Sequence, residues 1–137
     1  MNFLIKGGNV VFNDDLRTLD ILIRDGIIEK IGENLLCENA KIVDAKGLTV
    51  IPGVVDMHVH FRDPGFCYKE DIETGCNAAA AGGVTSVACM PNTSPTVDCE
   101  EVISYIRTKA EKSKAKVYPI AAITRGLDGK NWWILNI

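Results

Sequence analysis

The chain has 137 residues, of which 47% are hydrophobic, and a formal net charge of −3. This size suits one ordinary domain, and the mild acidity gives no reason to expect a nucleic acid or an anionic membrane as a partner. No apolar run approaches the roughly 18 residues of a membrane span, and the N-terminus lacks the long apolar core of a signal peptide. The five cysteines form no C-x-x-C pair, which predicts reduced thiols in a cytoplasmic protein.

Residues 1–52 predict a small all-β unit. Apolar or alternating segments are separated by turn residues, and the predicted strands are 2–6, 9–12, 18–24, 27–31, 41–44 and 48–51. Asp25-Gly26 predicts a type I′ hairpin turn, because that turn needs positive φ at both central residues.

After Pro52 the pattern predicts strands alternating with helices. The predicted elements are a strand at 53–60, a helix at 70–81 ended by Gly82-Gly83, a strand at 84–90, a helix from Asp98 to near Ser113, and a strand at 116–123. Asp98 and Glu101 have the spacing of a capping box, and the helix after them carries an apolar face of Val102, Ile103, Ile106 and Ala110. This alternation predicts a parallel sheet with right-handed crossovers.

Two histidines stand at the end of the first of these strands. Residues 54–59 are apolar and β-branched, which predicts a buried strand. Side chains two apart on a strand point to one face, so His58 and His60 project together. Both imidazoles can then reach one divalent metal at about 2.0–2.1 Å. Asp56, two residues before His58, either orders the histidines or caps the strand. The strand ends in a loop at His60, and in parallel α/β folds this end of the strands is where ligands bind.

Four segments resemble the amidohydrolase superfamily and, within it, the dihydroorotases. They are PGVVDMHVHFRDPG at 52–65, KEDIETG at 69–75, AAGGVT at 80–85 and MPNT at 90–93. The resemblance implies an α/β fold in which an incomplete (β/α)8 TIM-like barrel, with its first three strands, follows a small all-β sandwich subdomain. The implied domains are 1–52 as the sandwich part, 53–130 as the start of a metal-dependent hydrolase barrel, and 131–137 as an atypical tail.

The resemblance also implies an activity and a set of site residues. Dihydroorotases interconvert (S)-dihydroorotate and N-carbamoyl-L-aspartate in pyrimidine biosynthesis, with one or two zinc ions that lower the pKa of bound water toward ~7 and polarise the substrate carbonyl. His58 and His60 match the metal ligands, and the matching substrate-binding residues are His60, Phe61, Arg62 and Asn92. The Arg62 guanidinium suits a carboxylate, and the Asn92 amide can both donate and accept.

Other interpretations stay open. Arg62 could be a solvated charge and Asn92 an ordinary turn residue. Allantoinases, dihydropyrimidinases and hydantoinases share the sandwich, the barrel and the histidine pair, but they usually lack FRDPG followed by MPNT, and a substrate carboxylate gives Arg62 its purpose. A non-catalytic remnant or scaffold subunit is a further alternative, and the possible partners are a second copy of the chain or a carbamoyltransferase.

The chain departs from the family in length. A (β/α)8 barrel needs about 250 residues, whereas 85 follow Pro52. The chain has two histidines in all, so the family's later histidine pair and its late catalytic aspartate have no counterpart. We therefore expect an N-terminal fragment that is aggregation-prone and has no hydrolase activity alone, since a catalytic zinc usually has three protein ligands.

The segment 131–137 does not resemble the family. It holds both tryptophans, with no element after it to bury them. We interpret it as the product of a frameshift, a premature stop or a gene-model error; the alternative is a tail that docks on a partner.

Overall fold

The structure is a computed structural model that describes residues 1–12 and 15–133. The chain forms two compact units, which divide between Pro52 and Gly53. In these residues, no helix is both long enough and apolar enough to cross a membrane.

The first unit is one five-stranded mixed sheet. Its strands are β1 (Phe3–Phe12), β2 (Asp15–Arg24), β3 (Ile27–Gly32), β4 (Lys41–Asp44) and β5 (Thr49–Val50). The order is β3-β2-β1-β4, with β5 also paired to β1; β2 is antiparallel to β1 and β3, while β4 and β5 run parallel to β1. The predicted strands 2–6 and 9–12 are one strand, whose register shifts between Ile5 and Gly8. The predicted hairpin is confirmed, since Asp25 and Gly26 have φ of 50° and 82°.

A buried carboxylate joins three segments of this unit. Asp20 accepts hydrogen bonds from Lys6 Nζ at 2.8 Å, from the Gly7 amide at 2.8 Å and from the Leu35 amide at 2.9 Å. Burial alone would raise the pKa of Asp20, but these hydrogen bonds outweigh it and hold the pKa below its ordinary value.

The second unit is a three-stranded parallel sheet with two helices. Its elements are β6 (Val54–Val59), α1 (Ile72–Ala81), β7 (Val84–Cys89), α2 (Glu100–Ala110) and β8 (Lys116–Pro119). The sheet order is β6-β7-β8 and both strand pairs are parallel, so the predicted parallel sheet is confirmed. The predicted apolar face of α2 is confirmed as well: Val102, Ile103 and Ile106 are buried, and Ala110 packs against them. These three residues belong to the core cluster of this unit, whose other buried members are Phe61, Ile72, Cys76, Val87, Cys89, Val97 and Ala115.

Both helices begin later than predicted, and side-chain capping explains the start of α1. Asp71 is the N-cap of α1 and accepts from the Thr74 amide at 2.8 Å, so residue 70 precedes the helix. The predicted Asp98 cap of α2 is wrong. Cys99 takes the N-cap position without a side-chain hydrogen bond, and the Asp98 carboxylate instead accepts from the Gly126 amide at 2.6 Å.

The last two strand predictions also need correction. The predicted strand 116–123 ends at Pro119, which pairs with Cys89 at the end of β7; proline has no N–H for the ladder. The prediction that 54–59 is buried is wrong: Val54, Val55 and Met57 are 45%, 60% and 76% exposed. β6 is the edge of its sheet, with β7 on one side.

The segment after Ile123 folds back on itself. Thr124 pairs with Trp132 in an antiparallel bridge, and the Trp133 amide donates to the Ile123 carbonyl at 3.0 Å. Trp133 packs against the core cluster, whereas Trp132 is 73% exposed. Trp133 is therefore partly buried, which the sequence did not predict, whereas Trp132 is exposed as expected. The rest of the predicted tail, 134–137, lies outside the described residues.

The five cysteines are free thiols with different exposure. Cys76 and Cys89 are buried, Cys37 and Cys99 are half-buried, and Cys67 is exposed. Burial raises the pKa of Cys76, and it raises that of Cys89 to about 11. The buried pair is therefore protonated at neutral pH.

Candidate metal and substrate site

The end of β6 brings the two histidines together as the strand period requires. His58 lies in β6 and His60 directly follows it; their Nε2 atoms are 3.2 Å apart, and their ring centroids are 5.1 Å apart. Two nitrogens bound to one tetrahedral zinc at about 2.05 Å would be separated by roughly 3.3 Å. The pair therefore fits two positions around a single zinc ion.

Asn92 contacts the second histidine. His60 Nδ1 lies 2.8 Å from Asn92 Oδ1. An amide oxygen only accepts, so this contact is a hydrogen bond in the tautomer that has its proton on Nδ1 and leaves the Nε2 lone pair free. The sequence predicted Asn92 as a substrate contact but did not predict its contact with His60. A signal for it was present, since Asn92 follows β7 as His60 follows β6, and the carboxyl ends of neighbouring parallel strands share one edge.

The Asp56 side chain forms a hydrogen bond with the main chain of the first histidine. Its Oδ1 accepts from the His58 amide at 3.0 Å, and the pairing of β6 with β7 is irregular between Asp56 and Val59. Of the two roles left open for Asp56, this contact supports ordering of the histidine segment.

The other two predicted substrate residues lie apart from this cluster. Arg62 is half-buried with a φ of 62°, and its carbonyl accepts from the Phe66 amide at 2.8 Å. Phe61 is 7% exposed and belongs to the core cluster. In the described part of the chain, His58, His60 and Asn92 are joined by contacts, and no hydrogen bond or ion pair links the Arg62 side chain to them.

A buried carboxylate next to Arg62 was missed by the sequence reasoning. Asp63 accepts from Lys109 Nζ, from Tyr105 Oη at 2.9 Å and from the Ile72 amide at 3.4 Å. Burial would raise the pKa of Asp63, but the bonds from Lys109 and Tyr105 outweigh it and lower the pKa; the same contact raises the pKa of Lys109. The loop that carries Arg62 is thus fixed to both helices.

Further metal donors do not converge on the pair. Across residues 1–12 and 15–133, no group of three or more His, Cys, Asp or Glu side chains is placed to hold a metal ion. The histidine pair is what this part of the chain offers to a metal.

Comparison with known proteins identifies the family to which the chain belongs. The family model described as "Dihydro-orotase-like" matches residues 47–134. The chain belongs to the dihydroorotase-like family. The match includes residues 131–134, which we had predicted to be unlike the family.

Similar curated proteins include bacterial dihydroorotases. The dihydroorotase of Citrifermentans bemidjiense is 53% identical over 136 residues, which are 96% of this chain and 32% of that protein. The dihydroorotase of Geobacter sulfurreducens is 53% identical over 133 residues, or 94% of this chain and 31% of that protein. This dihydroorotase-like chain spans about a third of the length of these relatives.

Several similar solved structures are hydantoinases. An L-hydantoinase (dihydropyrimidinase) from Arthrobacter aurescens has a TM-score of 0.82 at 28% identity, covering 89% of this chain and 28% of that one. A D-hydantoinase has a TM-score of 0.76 at 34% identity, covering 93% and 29%. These neighbours confirm the α/β class and the predicted relation to cyclic-amide hydrolases.

Proposed function

We propose that this dihydroorotase-like chain carries the first metal ligands and the substrate-binding residues of a zinc-dependent dihydroorotase. Such an enzyme interconverts (S)-dihydroorotate and N-carbamoyl-L-aspartate. The observation that carries the proposal is the His58–His60 pair, whose Nε2 atoms lie 3.2 Å apart with Asn92 on the outer nitrogen of His60. The identity of 53% to curated dihydroorotases supports this substrate.

His58 and His60 would hold the zinc through their Nε2 atoms. When bound, zinc polarises a carbonyl oxygen and lowers the pKa of water, which is the chemistry that hydrolysis of an amide needs. A catalytic zinc usually has three protein ligands. The proposal therefore requires at least one more donor from polypeptide that corresponds to the rest of the relatives' length, and we expect no turnover by the chain alone.

Arg62 and Asn92 would bind the substrate. Dihydroorotate carries a carboxylate, and a guanidinium can hold it through two parallel hydrogen bonds. Asn92 keeps two Nδ2 hydrogens for the substrate while its oxygen contacts His60. Because the Phe61 ring is buried in the core, Phe61 would contact the substrate through its main chain.

A hydantoinase or dihydropyrimidinase activity is the second candidate. It is favoured by the TM-score of 0.82 to the Arthrobacter aurescens enzyme. The substrates of the two candidates differ in the carboxylate, so the two functions differ in what they require of Arg62.

A chimera tests both candidates. The present chain would replace the matching third of the Citrifermentans bemidjiense dihydroorotase, and hydrolysis of dihydroorotate, hydantoin and dihydrouracil would be measured. We expect hydrolysis of dihydroorotate, a loss of at least about 100-fold for His58→Ala or His60→Ala, and a KM raised at least about 10-fold for Arg62→Met, worth about 1.4 kcal/mol. Arg107→Met, on the exposed surface of α2, is the matched control and should leave KM unchanged.

The outcomes separate the candidates. A folded, zinc-loaded chimera that hydrolyses hydantoin or dihydrouracil but not dihydroorotate would favour the second candidate. A folded, zinc-loaded chimera without any of these activities would contradict both and favour the non-catalytic alternative.

The proposal extends to the cellular setting. The five free thiols support a cytoplasmic location, and the small-molecule substrate is the partner that the site residues suit. A second copy of the chain or a carbamoyltransferase as a protein partner stays a prediction.

A further inference from the structure

The Asn92 side-chain amide has an oxygen that accepts and a nitrogen that donates hydrogen bonds, and its oxygen contacts His60. Its Oδ1 lies 2.8 Å from His60 Nδ1, while Nδ2 has two hydrogens to donate. We propose that Asn92 is a positioning residue for His60: its amide oxygen holds the imidazole as the Nδ1–H tautomer and fixes the ring, so that the Nε2 lone pair faces the position shared with His58. This inference rests on the proposed zinc site and assigns to Asn92 a role beyond substrate binding.

The main chain around Asn92 is built to hold this contact. The Met90 amide donates to the Val59 carbonyl at 2.9 Å, which ties the ends of β6 and β7 together. The Pro91 carbonyl accepts from the Thr93 amide at 2.9 Å and from the Val97 amide at 3.1 Å, and Val97 is fully buried. Main-chain hydrogen bonds therefore hold the loop on both sides of Asn92, and they fix the position of its backbone relative to His60.

The contact matters because the two histidines face each other through Nε2. At 3.2 Å, one Nε2 can donate to the other while no metal is bound, and His60 Nε2 is the acceptor if its proton is on Nδ1. The metal-free chain should therefore carry opposite tautomers, Nε2–H on His58 and Nδ1–H on His60. A hydrogen-bonded outer nitrogen is the usual way in which proteins orient a metal-binding imidazole.

The first test reads the tautomers without metal. In the chain labelled with ¹⁵N-histidine, two-bond ¹H–¹⁵N correlations at about pH 8, where an ordinary imidazole is neutral, should show His60 as Nδ1–H. Asn92→Ala should shift His60 toward Nε2–H, and Asn92→Asp, which keeps an acceptor, should not. Asn77→Ala, at an exposed position of α1, is the control. A wild-type His60 that is mainly Nε2–H would overturn the proposal without recourse to any variant.

The second test measures metal affinity with Co²⁺ and Zn²⁺. We expect Asn92→Ala to weaken binding by about 10- to 100-fold, Asn92→Asp to stay within a few-fold of wild type, and His60→Ala to abolish binding. Unchanged affinity in Asn92→Ala would overturn the positioning role. A wild-type chain whose metal binding does not depend on His58 and His60 would instead overturn the zinc site of the proposed function, and the tautomer measurement would still decide whether Asn92 holds His60.

Discussion

The buried Asp63 carboxylate gives the sharpest stability prediction. Its side chain is fully shielded from solvent, and it accepts from Lys109, from Tyr105 at 2.9 Å and from the Ile72 amide at 3.4 Å. Asp63→Asn removes the charge and turns an amide donor toward groups that themselves donate. Loss of one partner of a buried pair costs about 3–5 kcal/mol. Lys109→Met leaves the fully shielded carboxylate without its counter-ion, so we expect about 3 kcal/mol from that variant. In Asp63→Asn the remaining Lys109 side chain is 37% exposed and can be solvated, so we expect about 2 kcal/mol.

Urea unfolding followed by circular dichroism measures these losses. Lys112→Met is the matched control, since Lys112 is an exposed lysine close to Lys109 in sequence, and it should change the free energy of unfolding by less than about 0.5 kcal/mol. The double variant Asp63→Asn/Lys109→Met should destabilise by less than the sum of the single losses, because both remove the same contact. An Asp63→Asn chain within about 0.5 kcal/mol of wild type would refute the reasoning.

The pH dependence gives an independent check. The pKa of folded Asp63 lies below its ordinary value, so the unfolded chain binds this proton first as the pH falls. The stabilisation is complete above the unfolded pKa of about 3.9 and is lost as the pH falls through the folded pKa. The stability difference between wild type and Asp63→Asn should therefore shrink below about pH 4; a difference that stays constant down to about pH 2 would contradict this assignment.

Two further changes are tested by the same unfolding measurements. Gly75→Ala puts a Cβ 2.4 Å from the ring of Phe61, and crowding that costs about 1–3 kcal/mol should outweigh the gain of about 1 kcal/mol in helix propensity. Gly82→Ala is the control, because its Cβ would lie 3.5 Å from the nearest atom, and it should leave the stability almost unchanged. Equal effects of the two substitutions would count against the packing argument. Asp20→Asn removes the charge that Lys6 and two main-chain amides contact, so we expect a loss of about 2 kcal/mol that fades below about pH 4, and full stability in this variant would show that the cluster contributes nothing.

Local rules of the chain predicted several features correctly. The strand period placed His58 and His60 on one face, and their Nε2 atoms do meet. Positive φ at Asp25-Gly26 followed from the chemistry of the turn. Each of these depends on residues that are close in sequence, so no knowledge of the tertiary structure was needed.

The features that were missed depend on distant partners. Asp98 has the spacing of a cap, but the Gly126 amide, far along the chain, takes its carboxylate. The bond from Lys109 to Asp63 joins residues 46 positions apart, and the sequence between them carries no mark of it. For β6, the apolar composition indicated a strand but not which of its faces is covered.

The unequal exposure of the thiols makes one cysteine a site for selective chemical labelling. Cys67 is the exposed cysteine, and it lies in the loop that also carries Arg62 and Asp63. A maleimide dye should react there first, since burial keeps Cys76 and Cys89 protonated and shielded. Because Co²⁺ quenches nearby fluorophores, such a label on the purified chain would report occupancy of the histidine pair from the loop that follows it.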